Sequence, residues 1–97
     1  MKKLKDIKDI LAKHKPEIQR KFKVKEIGIF GSYTRGRQKD KSDLDVLVEF
    51  SEPVGLFKFM DLEEYLQTLF GVKVDLVSRK ALKPHIGKRI LQEVIYI

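Results

Sequence analysis

Residues 44–50, LDVLVEF, alternate in a way that few folds can use. Extended backbone sends successive side chains to opposite faces. Leu44, Val46, Val48 and Phe50 then share one face, and Asp43, Asp45, Leu47 and Glu49 share the other. Residues 72–77, VKVDLV, repeat the design: Val72, Val74 and Leu76 point one way, Lys73 and Asp75 the other. A sheet of such strands has one face for helices to cover and one that carries aspartate.

The remaining segments supply those helices. Residues 4–22 place Leu4, Ile7, Leu11, Ile18 and Phe22 on one helical stripe among lysines, with Pro16 as a kink or restart point. Residues 24–30, VKEIGIF, read as a first strand that breaks at Gly31. Residues 32–38 read as one or two helical turns opening at Ser32. Residues 54–70 carry Leu56, Phe59, Met60, Leu66, Leu69 and Phe70, a helix ending at Gly71. Pro84 suits a helix start, and Ile86, Ile90, Leu91, Val94 and Ile95 give that last helix an apolar face. The order helix, strand, strand, helix, strand, helix fits no doubly wound repeat. It predicts an α/β sandwich with helices mainly on one side of a short sheet. The link between the first two strands holds either a short crossover helix or a long hairpin loop.

At 97 residues the chain fits one domain. It has no cysteine, hence no disulfide and no thiolate metal site. With two histidines, His14 and His85, it lacks the donors for zinc. Neither a leader segment nor a membrane span is legible, so the expectation is a soluble, cytoplasmic protein. Of the net charge of +7, the excess lies in residues 1–26, with ten Lys/Arg against four Asp/Glu. That patch reads first as a solvated helix face and second as a contact for nucleic acid or an acidic partner.

The chemistry concentrates in residues 31–45, GSYTRGRQKDKSDLD. Gly31 permits close backbone approach, and free N–H groups at a helix start would suit a phosphate. Arg35 and Arg37 follow. Arg37, Lys39 and Lys41 read mainly as a solvated loop. Asp43 and Asp45 share a strand face, and Asp75 joins them from the neighbouring strand. Three carboxylates together need counter-charge, and Mg²⁺ is the natural one because it prefers carboxylates and substrate phosphates. Two such ions would clamp the attacking and leaving oxygens of a phosphoryl transfer. Tyr33, beside the site, is a candidate platform for a nucleobase.

Gly31-Ser32, ten residues, then Asp43-Leu44-Asp45 resembles the nucleotidyltransferase signature of the DNA polymerase beta superfamily. In its compact form the chain is similar to the minimal nucleotidyltransferase (MNT) family, over roughly residues 24–97, with residues 1–23 as an N-terminal helix. The resemblance implies a nucleotidyltransferase fold, a short mixed β-sheet with helices packed mainly on one face. It implies transfer of AMP from ATP to a hydroxyl, a tyrosine, of a HEPN-domain toxin, as the antitoxin of a type VII toxin–antitoxin module. The rival is a nucleotide-binding antitoxin that silences the toxin by complex formation alone. Carried over, Gly31 and Ser32 hold the triphosphate, with Arg35 and Ser42 as further nucleotide contacts. Asp43, Asp45 and Asp75 are the catalytic acids and Mg²⁺ ligands, Asp75 alternatively serving as general base. Relatives often continue Ala-Arg-Gly-Glu where this chain has Thr34-Arg35-Gly36-Arg37. The cation at Arg37 either tightens the phosphate grip or belongs to a different partner surface. A chain this short has no second substrate domain, so the acceptor comes from another chain. The resemblance implies a hetero-oligomer with the toxin or a homo-oligomer, and no membrane partner.

Overall fold

The computed structural model describes residues 3–37 and 43–97. Helix α1 (Leu4–Phe22) leads into strand β1 (Val24–Phe30), then β2 (Leu44–Phe50), helix α2 (Leu56–Phe70), strand β3 (Val74–Ser78), helix α3 (Pro84–Glu93) and a short strand β4 (Ile95–Tyr96). The four strands form one mixed sheet in the order β3-β2-β1-β4. β1 pairs antiparallel with both β2 and β4, while β2 and β3 run parallel. Antiparallel pairing settles the first connection: it returns as a long hairpin loop, not as a crossover.

The alternation read from the sequence explains the packing. Leu44, Val46 and Val48 of β2, Ile27 and Ile29 of β1, and Val74 and Leu76 of β3 enter one core with Ile7, Leu11 and Ile18 of α1 and Leu62, Leu66 and Phe70 of α2. α1 begins where the Asp6 carboxylate accepts the Lys3 N–H at 3.2 Å, which satisfies the amide at the N-cap. Pro16 lies inside α1 without ending it. The carbonyl it leaves unpaired belongs to Ala12, on the exposed side of the helix, where water replaces the missing bond.

Three expectations are corrected. The third strand begins at Val74 rather than Val72 and runs to Ser78. The second helix begins at Leu56 rather than at residue 54 and buries Leu62, Leu66 and Phe70, with Leu56 and Met60 exposed. The last helix stops at Glu93, and Ile95 belongs instead to β4, which closes the sheet edge beside β1. The second face of the sheet is also not wholly polar, because Leu47 is buried there. The turn Arg79–Ala81 packs against β2, and Arg79 Nη1 meets Glu49 Oε2 at 3.3 Å. Among the described residues no helix is long and apolar enough to cross a membrane.

Candidate active site

Register brings the acids together. Parallel pairing of β2 with β3 sets Asp45 directly opposite Asp75, and antiparallel pairing sets Phe30 opposite Asp45 on the other side. The chain leaving β1 therefore turns at Gly31 immediately beside the Asp45 carboxyl. Gly31 has φ 78°, in the left-handed region that costs other residues energy. A Cβ there would collide with Asp45 Oδ2 and stand 2.9 Å from Asp45 Cγ. Glycine is required at this position twice over, by conformation and by space.

Of the helical turns expected over 32–38, the described residues form one 3₁₀ turn, Gly31–Tyr33, and residue 38 lies outside them. The Gly31 carbonyl accepts the Thr34 N–H at 3.1 Å and the Thr34 hydroxyl at 2.8 Å, which tightens the turn. Ser32, half-buried, sits within this turn rather than at a helix start. Its expected helix dipole is absent, and any phosphate contact here rests on local N–H groups alone. Ser42, Lys39 and Lys41 lie outside the described residues. Tyr33 is 2% exposed and belongs to the hydrophobic core, so it offers no surface to a base.

Asp45 is half-buried, whereas Asp75 is exposed on the edge strand. Burial, then the charges of Asp75 and Asp43, push the Asp45 carboxyl from an ordinary 3.8 up to about 6; Glu93 adds to the rise, and the Arg35 guanidinium opposes it. Folded protein therefore binds more protons at Asp45 than unfolded protein does between those two values. Stability falls as pH rises through that window, and the penalty is complete above it. With allowance for the exposure of the group, it amounts to ~1 kcal/mol. In chelator, Asp45→Asn should melt above wild type at about pH 7, and the gap should close towards about pH 4. A gap independent of pH would contradict this electrostatic account.

This donor set suits a hard divalent cation. A positive ion between Asp45, Asp75 and Asp43 relieves the repulsion that raises Asp45. Among the described residues no three His, Asp or Glu side chains gather closely enough to enclose an ion unaided. Mg²⁺ fits that incompleteness, since one or two carboxylates, water and substrate phosphates usually hold it.

Sequence reasoning missed Glu93. Its Oε1 accepts the Gly31 N–H at 3.0 Å, and Arg35 Nη1 donates to Oε1 at 3.1 Å and Oε2 at 3.0 Å. An anion from α3 thus already engages the Gly31 amide and Arg35. Glu93 is also one end of the series Ile86, Arg89, Ile90, Glu93, spaced three, four and seven apart. That series forms one wall of a cleft of ≈ 230 Å³, and Phe30, Gly31, Arg35 and Asp45 form the other. Larger hollows, ≈ 340 Å³ beside Phe50 and Phe59 and ≈ 530 Å³ between Leu82 and Leu91, contain none of Asp43, Asp45 and Asp75.

Residues 11–97 match the family described as nucleotidyltransferase domain. The protein adenylyltransferase MntA of Thermococcus cleftensis is 51% identical over 94 residues, covering 97% of this chain and 95% of that one. A solved minimal nucleotidyltransferase superposes with a TM-score of 0.76 at 32% identity, over 92% of this chain and 93% of its own. A chain from the solved complex of a tri-AMPylated Shewanella oneidensis HEPN toxin with an MNT antitoxin shares the fold, with a TM-score of 0.67 at 18% identity over 93% of this chain and 70% of that one. With the matched region spanning nearly the whole chain, and both relatives above 30% identity covered almost end to end, this protein belongs to the nucleotidyltransferase family, in its minimal form.

Proposed function

We propose that the protein transfers AMP from ATP to a hydroxyl, a tyrosine, on a HEPN-domain toxin, and so acts as that toxin's antitoxin. The observation that carries this reading is the register pairing of Asp45 with Asp75 beside Gly31. The adenylyltransferase activity named for the Thermococcus relative supports the reaction. The AMPylated toxin in the Shewanella complex supports the acceptor.

Each residue has a task in this reaction. The Gly31 amide and the Arg35 guanidinium bind the triphosphate once Glu93 yields them. Asp43 and Asp45 would hold Mg²⁺, which when bound neutralises charge on the phosphates, and Asp75 takes the alternative role of base. Asp75, exposed at the sheet edge, is placed to meet a hydroxyl arriving on another chain. It takes the proton as that oxygen bonds to the α-phosphorus. The bond between the α-phosphorus and the bridging oxygen breaks, and pyrophosphate leaves with the electron pair. Half-buried Asp45 keeps its place between the acceptor side and Gly31.

Intact mass spectrometry of the protein with a HEPN-domain partner, ATP and Mg²⁺ tests the reading. The expected result is one or more AMP units on the partner, absent with Asp43→Asn/Asp45→Asn. A stable complex with no mass gain would replace the enzyme by a binding antitoxin. Mg²⁺ with ATP should also raise the melting temperature, by ~2.7 kcal/mol of added stability at one hundred times Kd. An unmoved melting curve at saturating ligand would count against the nucleotide site.

A further inference from the structure

α3 is amphipathic in sequence, yet its apolar side chains are not spent on the core. Gly87 is its buried residue, packed so closely on Leu82 that a Cβ would stand 2.9 Å from Leu82 Cβ. Ile86 remains 60% exposed. Ile86, Arg89, Ile90 and Glu93 share one helix face, and that face lines the cleft containing Asp45. The two ends of this wall differ in chemistry, with Arg89 between the two isoleucines. The Glu93 end meets the Gly31 amide and Arg35. Seven residues earlier, about 10 Å along the axis, Ile86 ends the wall as an exposed hydrocarbon. Phe30, on the same sheet face as its partner Asp45, adds an aromatic floor. Tyr33, the nearest alternative platform, is sealed in the core.

A nucleoside triphosphate has the same polarity: charge at one end, a flat and largely apolar ring system at the other. Resting on the nucleotide reading above, we propose that α3 is the nucleoside wall of the site, with Ile86 and Ile90 against the base and Arg89 beside the ribose and α-phosphate. The wall sets how the site tells a nucleotide from bare polyphosphate. Burying apolar surface against Ile86 and Ile90 favours any ligand that carries a base. It adds nothing for inorganic triphosphate.

Calorimetric titration with Mg·ATP and with Mg·inorganic triphosphate separates the two contributions. Ile86 is exposed, so Ile86→Ser leaves the core untouched. That variant should bind Mg·ATP about five- to tenfold more weakly, with its triphosphate affinity unchanged, and Ile86→Leu should restore ATP binding. If wild type binds both ligands and Ile86→Ser weakens neither, or both alike, the wall proposal is overturned while the nucleotide site stands. If Ile86→Ser keeps its ATP affinity and loses AMP transfer to the HEPN partner, the face docks the acceptor and the proposal is likewise overturned. If wild type binds neither ligand, the nucleotide reading fails and takes the wall with it.

Discussion

Asp45→Asn is expected to reduce AMP transfer by about 10²-fold or more, in a protein that folds and, without metal, melts no lower than wild type. Both effects have one origin. The Asp45 carboxylate is half-buried opposite Asp75, with Asp43 two residues before it on the chain. Without a cation that charge is a liability, because burial and the neighbouring acids push its pKa up. In the proposed reaction the same charge becomes the central ligand of the cation. The amide keeps the shape and removes the charge, so stability and catalysis should move in opposite directions. Single-turnover transfer and thermal melts on the same preparation check this. A variant that transfers AMP at more than a tenth of the wild-type rate would remove Asp45 from the metal site. A variant that melts well below wild type would mean that its carboxylate supports the fold.

Gly31→Ala should be the most damaging small substitution in the chain. Its Cβ must enter space held by the Asp45 carboxyl, at a residue already in left-handed conformation. Either Asp45 leaves its position or the turn after β1 opens. Nucleotide-dependent stabilisation should vanish in both cases. Gly36 provides the matched control. It has φ 67°, yet among the described residues nothing lies within 4 Å of a Cβ built on it. Gly36→Ala should cost only the conformational preference, ~1–2 kcal/mol, and leave the Mg·ATP-induced shift in melting temperature intact. Equal damage from the two variants would show that turn conformation, and not contact with Asp45, makes glycine necessary at residue 31.

Much of this arrangement was legible because strands sort side chains by parity. Counting by twos from Leu44 put Asp43 and Asp45 off the core face, and the same count in VKVDLV exposed Asp75. Parity does not supply register, and the pairing of Asp45 with Asp75 required the structure. The turn after β1 was misread because a helix start and a left-handed glycine turn share the same Gly-Ser opening. β4 escaped because two residues carry no period, and Ile95 fitted the helical pattern of the residues before it. Glu93 was invisible for a different reason. Its partners, Gly31 and Arg35, lie some sixty residues earlier in the chain, and no local pattern encodes a contact at that separation. The spacing of Ile86, Arg89, Ile90 and Glu93 was present in the sequence, but an apolar helical stripe ordinarily announces burial. Only the exposure of Ile86 showed that this face was left for something else.

With the triphosphate seated as proposed, the carboxylate that bridges Gly31 and Arg35 makes its binding an exchange. An arriving phosphate does not meet a bare amide and a free guanidinium; it must replace an acid that is tethered and always present. The measured affinity is then a difference between two anions competing for the same donors, weaker than the donors alone would allow. The departing side of the cycle gains what the arriving side loses. When pyrophosphate leaves, Glu93 is at hand to reclaim both donors, so release does not strand an amide and a guanidinium without partners. Such a seat favours turnover over retention, which suits the proposed transfer of AMP to another chain.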